Sequence, residues 1–404
     1  MEQKKFGKKY KIAVIGGGFS GLICAIKLNE IFNGQVTLLE RNDRLCKKIA
    51  STGNGRGNIS NKIVNESFYH GDVALVKTCL KRYSNDSLID FFKDCGLLTV
   101  EENGRIYPSS MQASSVCDVL RLKAQYENLD VKLQYFVTDI KREKSGYMIN
   151  NEIFCEKIVV CVGGKSMKNF GTDGNLIPIL KGLGEEFTEL YPSLVQLKTQ
   201  TDKIKGLKGI KQQANASLYD GNKLLKTFSG DVLFTDYGVS GDCVFRLSSY
   251  LENAKNPVLQ LEFIPEISFQ DLKNFLIEKS KLNYCKNQDL LTGVVNNRLG
   301  LTMLKNAKLN ALDHANEKSC LALLSQVKDF KLAVQGTLGF DYSQVTHGGV
   351  KTENVEQTDL QSKINKNLYY CGEILNVDGD CGGYNLQWAY TSARIVAEEL
   401  IKQG

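Results

Sequence analysis

Two short stretches near the start of the chain, Ile12-Ala-Val-Ile15 and Val36-Thr-Leu-Leu39, are apolar almost without interruption, and the residues between them change period. An unbroken apolar run of this length is what a strand covered on both faces needs. Residues 19–33 instead place Leu22, Ile26 and Ile31 on or near one side, which predicts an amphipathic helix. Residues 41–62 are polar and glycine-rich and read as loop. Helices are predicted near 84–95 and 114–127, the second capped by Ser114 or Ser115, with short strands at 131–136 and 147–149. Lys157-Ile-Val-Val-Cys-Val162 reads as another buried strand; it runs into Gly163-Gly164, and a helix near 174–182 follows. At Tyr191-Pro192 the pattern changes. Residues 193–264 are rich in strands and turns, 267–330 return to three- and four-residue spacing, and glycine-rich strand patterns resume near 336. The chain closes with an apolar strand at Leu368-Tyr-Tyr-Cys371, a glycine-rich loop and a helix from about 387 to 402. An α/β fold with a parallel sheet, interrupted by an insertion, is expected.

The first turn carries chemistry. Between the first strand and helix stands Gly16-Gly17-Gly18-Phe19-Ser20-Gly21, and Glu40 ends the second strand. Gly16 makes the tight turn, Gly18 lets bare backbone approach a pyrophosphate, and Gly21 allows helix and strand to pack closely. A carboxylate about 20 residues further on accepts ribose hydroxyls, and the helix N-terminus presents N–H groups to phosphate. A dinucleotide site is expected.

The C-terminal strand delivers Gly372-Glu373 and then Asn376-Val-Asp378-Gly379-Asp-Cys381-Gly382-Gly383-Tyr384-Asn385-Leu386-Gln387-Trp388. An acid just past a strand can hold ribityl hydroxyls or pyrophosphate. A glycine loop opening a helix puts N–H groups and a positive dipole end where a reduced flavin carries negative charge. A dinucleotide domain closed by its own C-terminal strand and helix is how two-dinucleotide-fold flavoproteins are wired, so FAD is favoured over NAD as resident cofactor.

Composition narrows the class. The chain of 404 residues is too long for a single core, and 42% hydrophobic with 24% charged residues is ordinary for a globular protein. Net charge +6 comes from residues spread along the chain and does not point to nucleic acid. The twelve cysteines are scattered with no C-x-x-C pair, and His70, His314 and His347 are the only histidines, so reduced thiols and no metal are expected. The basic opening, with Lys4, Lys5, Lys8 and Lys9, superficially resembles a leader. It runs into a glycine turn with no small-residue cleavage site, so a cytoplasmic protein without leader or membrane span is expected.

The blocks Gly16–Gly21, Arg44–Asn61, Gly104-Arg-Ile-Tyr-Pro108, Leu233–Gly241, Val345-Thr-His-Gly-Gly-Val350 and Gly372–Trp388 together resemble the BaiN-like / aminoacetone oxidase family of three-domain bacterial flavoproteins. The resemblance spans essentially the whole chain, and the closing Gly-Gly-Tyr-Asn-Leu-Gln-Trp block is its most specific part. It implies a Rossmann-like FAD-binding domain of the two-dinucleotide-fold type, an inserted β-barrel-like domain and a small helical domain. In this chain those would be residues 1–191 with 336–404, 192–265 and 266–335. Two positions depart from the family pattern: Cys46 stands where glycine is common, and Gly57 where cysteine is common, so thiol chemistry at that loop is not carried over. The family includes both an amine oxidase and a reductase of unsaturated bile-acid ketones, so substrate identity does not transfer.

The expected activity is an FAD-dependent oxidoreductase moving hydride between flavin N5 and a small organic substrate, with enone or C=C reduction and NAD(P)H as donor. The alternatives are an amine oxidase using O2 and a flavoprotein acting on or binding RNA. A single full G-x-G-x-x-G means that NAD(P)H would bind without its own Rossmann domain, and no arginine-rich stripe interleaved with aromatics supports RNA. Candidate cofactor residues are Gly16, Gly18, Phe19, Ser20, Gly21, Glu40, Arg41, Lys48, Gly53, Asn54, Gly55, Val137, Gly163, Gly164, Gly372, Glu373, Asp378, Gly383, Asn385 and Leu386. Candidate catalytic residues are Arg56 and Asn58, as polar groups near the ring, and Tyr107 and Tyr384, as proton donors. For both tyrosines packing or ribityl contact stands as the alternative.

Overall fold

A computed structural model describes residues 8–404. The basic opening with Lys4 and Lys5 lies outside the described residues. The chain divides into two compact units, one of residues 1–191 with 345–404 and the other of residues 192–344.

The first unit is built on a Rossmann-type sheet. Four parallel strands lie in the order Asp130–Lys132, Val36–Leu39, Lys9–Ile15, Ile153–Val160. Ile153–Val160 then meets two further neighbours. Leu368–Tyr370 pairs parallel with its end, and the hairpin Ile140–Glu143 / Gly146–Ile149 pairs antiparallel with its start. Ile12 to Ile15, Val36 to Leu39 and Ile158 to Val160 are buried on both faces, which is why these strands read as unbroken apolar runs. The helices Phe19–Asn29 and Tyr384–Lys402 pack on each other. The first helix stops at Asn29, short of the predicted 33, so Ile31 is 60% exposed and does not share the buried side of Leu22 and Ile26. The helix Ala113–Tyr126 is capped by Gln112, not by Ser114 or Ser115; both serines lie within the helix, and the Ser115 hydroxyl pairs with that of Ser110.

The second unit is a closed antiparallel barrel. Its strands run around in the order Leu197–Thr199, Gly238–Ser240, Lys223–Phe234, Lys211–Asp220, Pro257–Phe263, Phe330–Thr337, and the last pairs with the first. Ala214, Ala216 and Leu218 alternate with exposed or half-buried neighbours, as do Leu259, Leu261 and Phe263, so one face of each strand fills the interior. Three helices, Phe269–Ser280, Asn297–Asn306 and Glu317–Lys328, lie between the fifth and sixth strands in sequence. They bury Leu272, Leu276, Leu299, Met303, Leu323, Leu324 and Val327 in the same apolar cluster. The fold is therefore mixed α/β, a Rossmann-type sheet with a six-stranded barrel. No helix among the described residues is long and apolar enough to cross a membrane.

The closing helix is tied down near its C-terminus. Glu398 pairs with Lys402 at 2.6 Å and accepts from Arg82 at 2.6 Å and from the Tyr83 hydroxyl. The bond from Lys402, then those from Arg82 and Tyr83, pull its carboxyl from 4.5 down to about 2. The folded value lies below the unfolded one, so the stabilisation is complete above about pH 4.5 and is lost as pH falls towards 2. Because the carboxylate is one-third exposed, solvent screening limits its worth to about 1 kcal/mol or less. Thermal melts of wild type and Glu398→Gln should therefore show a Tm deficit for the variant at pH 6 that shrinks to nothing near pH 2. A deficit independent of pH would show that the carboxylate's charge contributes nothing.

Candidate functional site

The glycine turn is shaped by what surrounds it. Gly16 has φ +104°, and a Cβ there would stand 2.5 Å from the Cys161 carbonyl oxygen. A Cβ on Gly21 would stand 1.8 Å from the Gly16 carbonyl oxygen, so helix and strand touch through bare backbone. Around Gly18 no atom lies within 4 Å of the Cβ position, and Gly18 caps the Phe19–Asn29 helix without any side-chain bond. The head of that helix thus combines open space with first-turn N–H groups that no cap side chain takes up.

Glu40 is buried behind the turn. One carboxylate oxygen accepts the Gly17 N–H at 2.7 Å, and the other accepts the backbone and side-chain N–H groups of Asn42, both at 2.7 Å. Charge-assisted bonds of this kind repay its desolvation. Next to it Arg41 pairs with Asp173 at 2.6 Å, bonds to Asn175 and the Gly171 carbonyl, and stacks over Phe136. Val137 is buried in the core of this unit.

A second group gathers at the ends of the central strands. Glu373 accepts the Thr346 N–H at 2.8 Å on one oxygen and Lys48 at 2.9 Å on the other. Thr346 accepts the Lys165 N–H, and a Cβ on Gly164 would lie 2.4 Å from its hydroxyl. Gly163 has φ +70°, and a Cβ there would stand 3.5 Å from Glu373. Ser20, in the first turn of the helix, would meet a Cβ on Gly372 at 2.9 Å, while Gly372 bonds through its N–H to Ser392 and through its carbonyl to the Trp388 indole. Phe19 is buried against Phe92. The structure thus brings Ser20, Lys48, Gly163, Gly164, Gly372 and Glu373 together from four separate parts of the chain.

The closing block is anchored separately. Asn385 spends its amide on the backbone of Gly379, accepting its N–H at 2.8 Å and donating to its carbonyl at 2.7 Å. Gly383 has φ +94° and would place a Cβ 2.4 Å from the Ser60 carbonyl, so only glycine starts this helix here. Ser60 donates to Gln387, and Asn61 donates to the Gly382 carbonyl. Tyr384 is buried, its ring stacked 4.5 Å from Phe68, and the Tyr69 hydroxyl donates to its carbonyl. Burial raises the Tyr69 phenol well above its ordinary range, which keeps it a donor. Leu386 is partly buried against the core.

The glycine loop forms its own small cluster. Gly53, Asn54 and Gly55 all take left-handed backbone, and the Cβ position of Gly55 is open. Asn58 is buried and donates to the carbonyls of Ser60 and Ile106. Arg56 pairs with Glu102 and lies 4.5 Å over the buried Tyr107 ring. Arg56 and Tyr107 therefore meet, whereas Asn58 holds backbone.

Sequence reasoning missed two pairs. His347 meets Asp378, and His70 meets Asp380. No short motif signals them, because strand pairing alone brings residues near 70 to residues near 380. Among the described residues no group of three or more His, Cys, Asp or Glu side chains could hold a metal ion.

The family profile described as HI0933-like protein Rossmann domain matches residues 10–399. The chain is 32% identical over 405 residues to the 3-dehydro-bile acid delta(4,6)-reductase of Clostridium scindens, covering 96% of this chain and 99% of that one. It is 26% identical over 407 residues to the ribosomal RNA dihydrouridine synthase of Escherichia coli, covering 98% of each. Among solved structures, the 3-ketosteroid delta1-dehydrogenase of Sterolibacterium denitrificans superposes with a TM-score of 0.50 at 12% identity, over 98% of this chain and all of that one. The likeness to that structure is one of fold.

The two glycines make opposite predictions about the bare protein. Gly21→Ala forces backbone apart and should cost at least about 3 kcal/mol in chemical denaturation, or prevent folding. Gly18→Ala, facing open space, should cost no more than about 1 kcal/mol. Equal losses would mean that the turn is not packed as described.

Proposed function

The chain belongs to the HI0933-like Rossmann family and is an FAD-dependent oxidoreductase, and we propose that it saturates a carbon–carbon double bond conjugated to a carbonyl in a small molecule, with NADH or NADPH as donor. The observation that carries the cofactor reading is the open, side-chain-free cradle at Gly18, flanked by the buried Glu40. A Cβ would fill that cradle; bare backbone leaves it to a pyrophosphate, so the residues present fit a dinucleotide. Gly18 and the first-turn N–H groups of Phe19, Ser20 and Gly21 would hold the pyrophosphate, and Glu40 the adenosine ribose. Lys48, Glu373 and Gly163 would serve the middle of the cofactor, and the Gly383–Leu386 backbone its ring end. Arg41, Gly53, Asn54 and Gly55 would line the entrance. Bound FAD supplies hydride transfer at N5.

The substrate class follows from chemistry shared by two relatives. A 3-oxo acid with delta(4,6) unsaturation and a uracil ring both hold a C=C in conjugation with a C=O. Saturating either one puts hydride on the β-carbon and a proton on the α-carbon. Arg56, which lies over the buried Tyr107 ring, would polarise the carbonyl from the loop side. The 32% identity to the bile-acid reductase favours the small ketone over RNA.

The test is anaerobic. Purified protein should be yellow and release FAD on denaturation. NADH or NADPH should bleach its visible absorbance, a 3-oxo-Δ4 or Δ4,6 steroid acid should restore it, and the product should be two hydrogens heavier. Restoration only by rRNA containing uridine, or bleaching only by amines followed by reoxidation with O2, would replace this reading. Glu40→Gln should raise the Kd for FAD by about 10- to 100-fold, since a charge-assisted bond is worth about 1.5–3 kcal/mol. The Kd for FMN, which lacks the adenosine, should rise less; equal weakening in a flavin titration of the apoprotein would assign Glu40 to the turn alone.

A further inference from the structure

Two of the chain's three histidines lie side by side in the first unit, each against its own aspartate. His347 ends the strand Val345–His347, and its Nδ1 lies 2.7 Å from Oδ1 of Asp378, a carboxylate with no exposed surface. His70 lies in the strand Tyr69–Gly71, and its Nε2 is 3.1 Å from Oδ1 of Asp380. That strand pairs antiparallel with Val377–Gly379, His70 opposite Asp378. The two imidazole rings stand edge to face with centroids 6.3 Å apart.

A buried carboxylate bonded to one ring nitrogen does three things. It selects the tautomer, fixes the ring's orientation, and stabilises the imidazolium without itself taking a proton. Asp378 on Nδ1 directs Nε2 of His347 to the opposite side of the ring. Both aspartates belong to the block Asp378-Gly379-Asp380, whose middle residue is clamped by Asn385 at the start of the closing helix. The pairs thus adjoin, through Gly379 and Asn385, the Gly383–Leu386 segment proposed to meet the flavin ring end. Tyr384, by contrast, is buried in an aromatic stack with Phe68 and Tyr69, and Tyr107 lies under Arg56.

We propose that His347 delivers the proton that the reduction consumes, oriented by Asp378 and resupplied from the His70–Asp380 pair; this rests on the conjugated C=C reading above. Hydride addition at the β-carbon leaves an enolate. The N–H bond of the His347 imidazolium breaks, the enolate's electron pair forms the new C–H bond at the α-carbon, and His347 is left neutral beside ionised Asp378. A proton passed from His70, and ultimately from water, restores it. The hydride and its two electrons come from the nicotinamide donor.

The experiment compares wild-type holoenzyme with His347→Gln, His347→Ala, Asp378→Asn and His70→Gln. In His347→Gln the enone-dependent step should slow by about 10²- to 10⁴-fold, the range of general-acid catalysis, while bleaching by the nicotinamide donor changes by less than about threefold. In His347→Ala added imidazole should restore the enone step by about tenfold or more, a response that a merely structural role would not give. Nitrogen-15 NMR should show a hydrogen-bonded Nδ1–H on His347 in wild type, lost in Asp378→Asn whether or not that variant turns over. His70→Gln should slow the enone step less than His347→Gln. An enone step in His347→Gln within about threefold of wild type, or a loss in His347→Ala that imidazole does not restore with FAD still bound, would overturn the proton donor and leave the reductase reading standing. Wild-type enzyme that reduces no conjugated ketone would overturn the reading itself. Should His347→Gln fail to retain FAD, the imidazole response of His347→Ala and the NMR signal decide.

Discussion

No side chain fits at position 21, because the Gly16 carbonyl oxygen occupies the space where its Cβ would be. That single steric condition sets the distance between the first helix and the first strand, and much of the first unit is arranged around it. The helix sits low enough for Ser20 to press on Gly372 and for its far side to pack on the closing helix. Gly372 in turn holds Trp388 and Ser392, so the two ends of the chain are fastened at the point where the cofactor is proposed to lie. A methyl group at position 21 would not perturb one contact; it would move the element on which the others are built.

Around this packing the unit holds buried charge in a satisfied state. Glu40 takes three N–H donors, Glu373 takes Lys48 and a backbone N–H, and Asp378 takes His347. Asn42 is local to Glu40, but Gly17, Lys48, Thr346 and His347 each come from a segment other than that of the carboxylate they meet, so each carboxylate also ties separate segments together. A buried carboxylate without such partners would cost several kcal/mol. The donors are fixed by the fold before any ligand arrives, the condition under which polar groups act most strongly on a reacting molecule.

The inserted unit obeys a different rule. Its strands are covered on one side only, so apolar residues alternate instead of running together, and closure of the barrel removes the open edges that an isolated sheet would leave. The helices within residues 269–328 keep helical spacing because one side of each joins the apolar cluster that fills the barrel, after which Phe330–Thr337 returns to close it.

What could be read from the chain alone was local. The Gly16–Gly21 turn, Glu40, the buried runs at 12–15 and 36–39 and the glycine block before the last helix are contiguous patterns, and each is dictated by backbone sterics or by burial on both faces. The same reasoning carried the first helix on to residue 33, with Ile31 on the side of Leu22 and Ile26, and put a serine cap at 114 or 115, because periodicity and capping preference do not say where a helix ends. Tertiary structure decided the rest. It spent Asn385 on Gly379, Asn58 on two carbonyls and Arg41 on Asp173, and it set His70 and His347 beside Asp378 and Asp380. A hydrogen-bonding side chain takes whichever partner the fold brings within about 3 Å, and that partner can stand hundreds of residues away in sequence. Tertiary packing chooses it, and no local pattern encodes the choice.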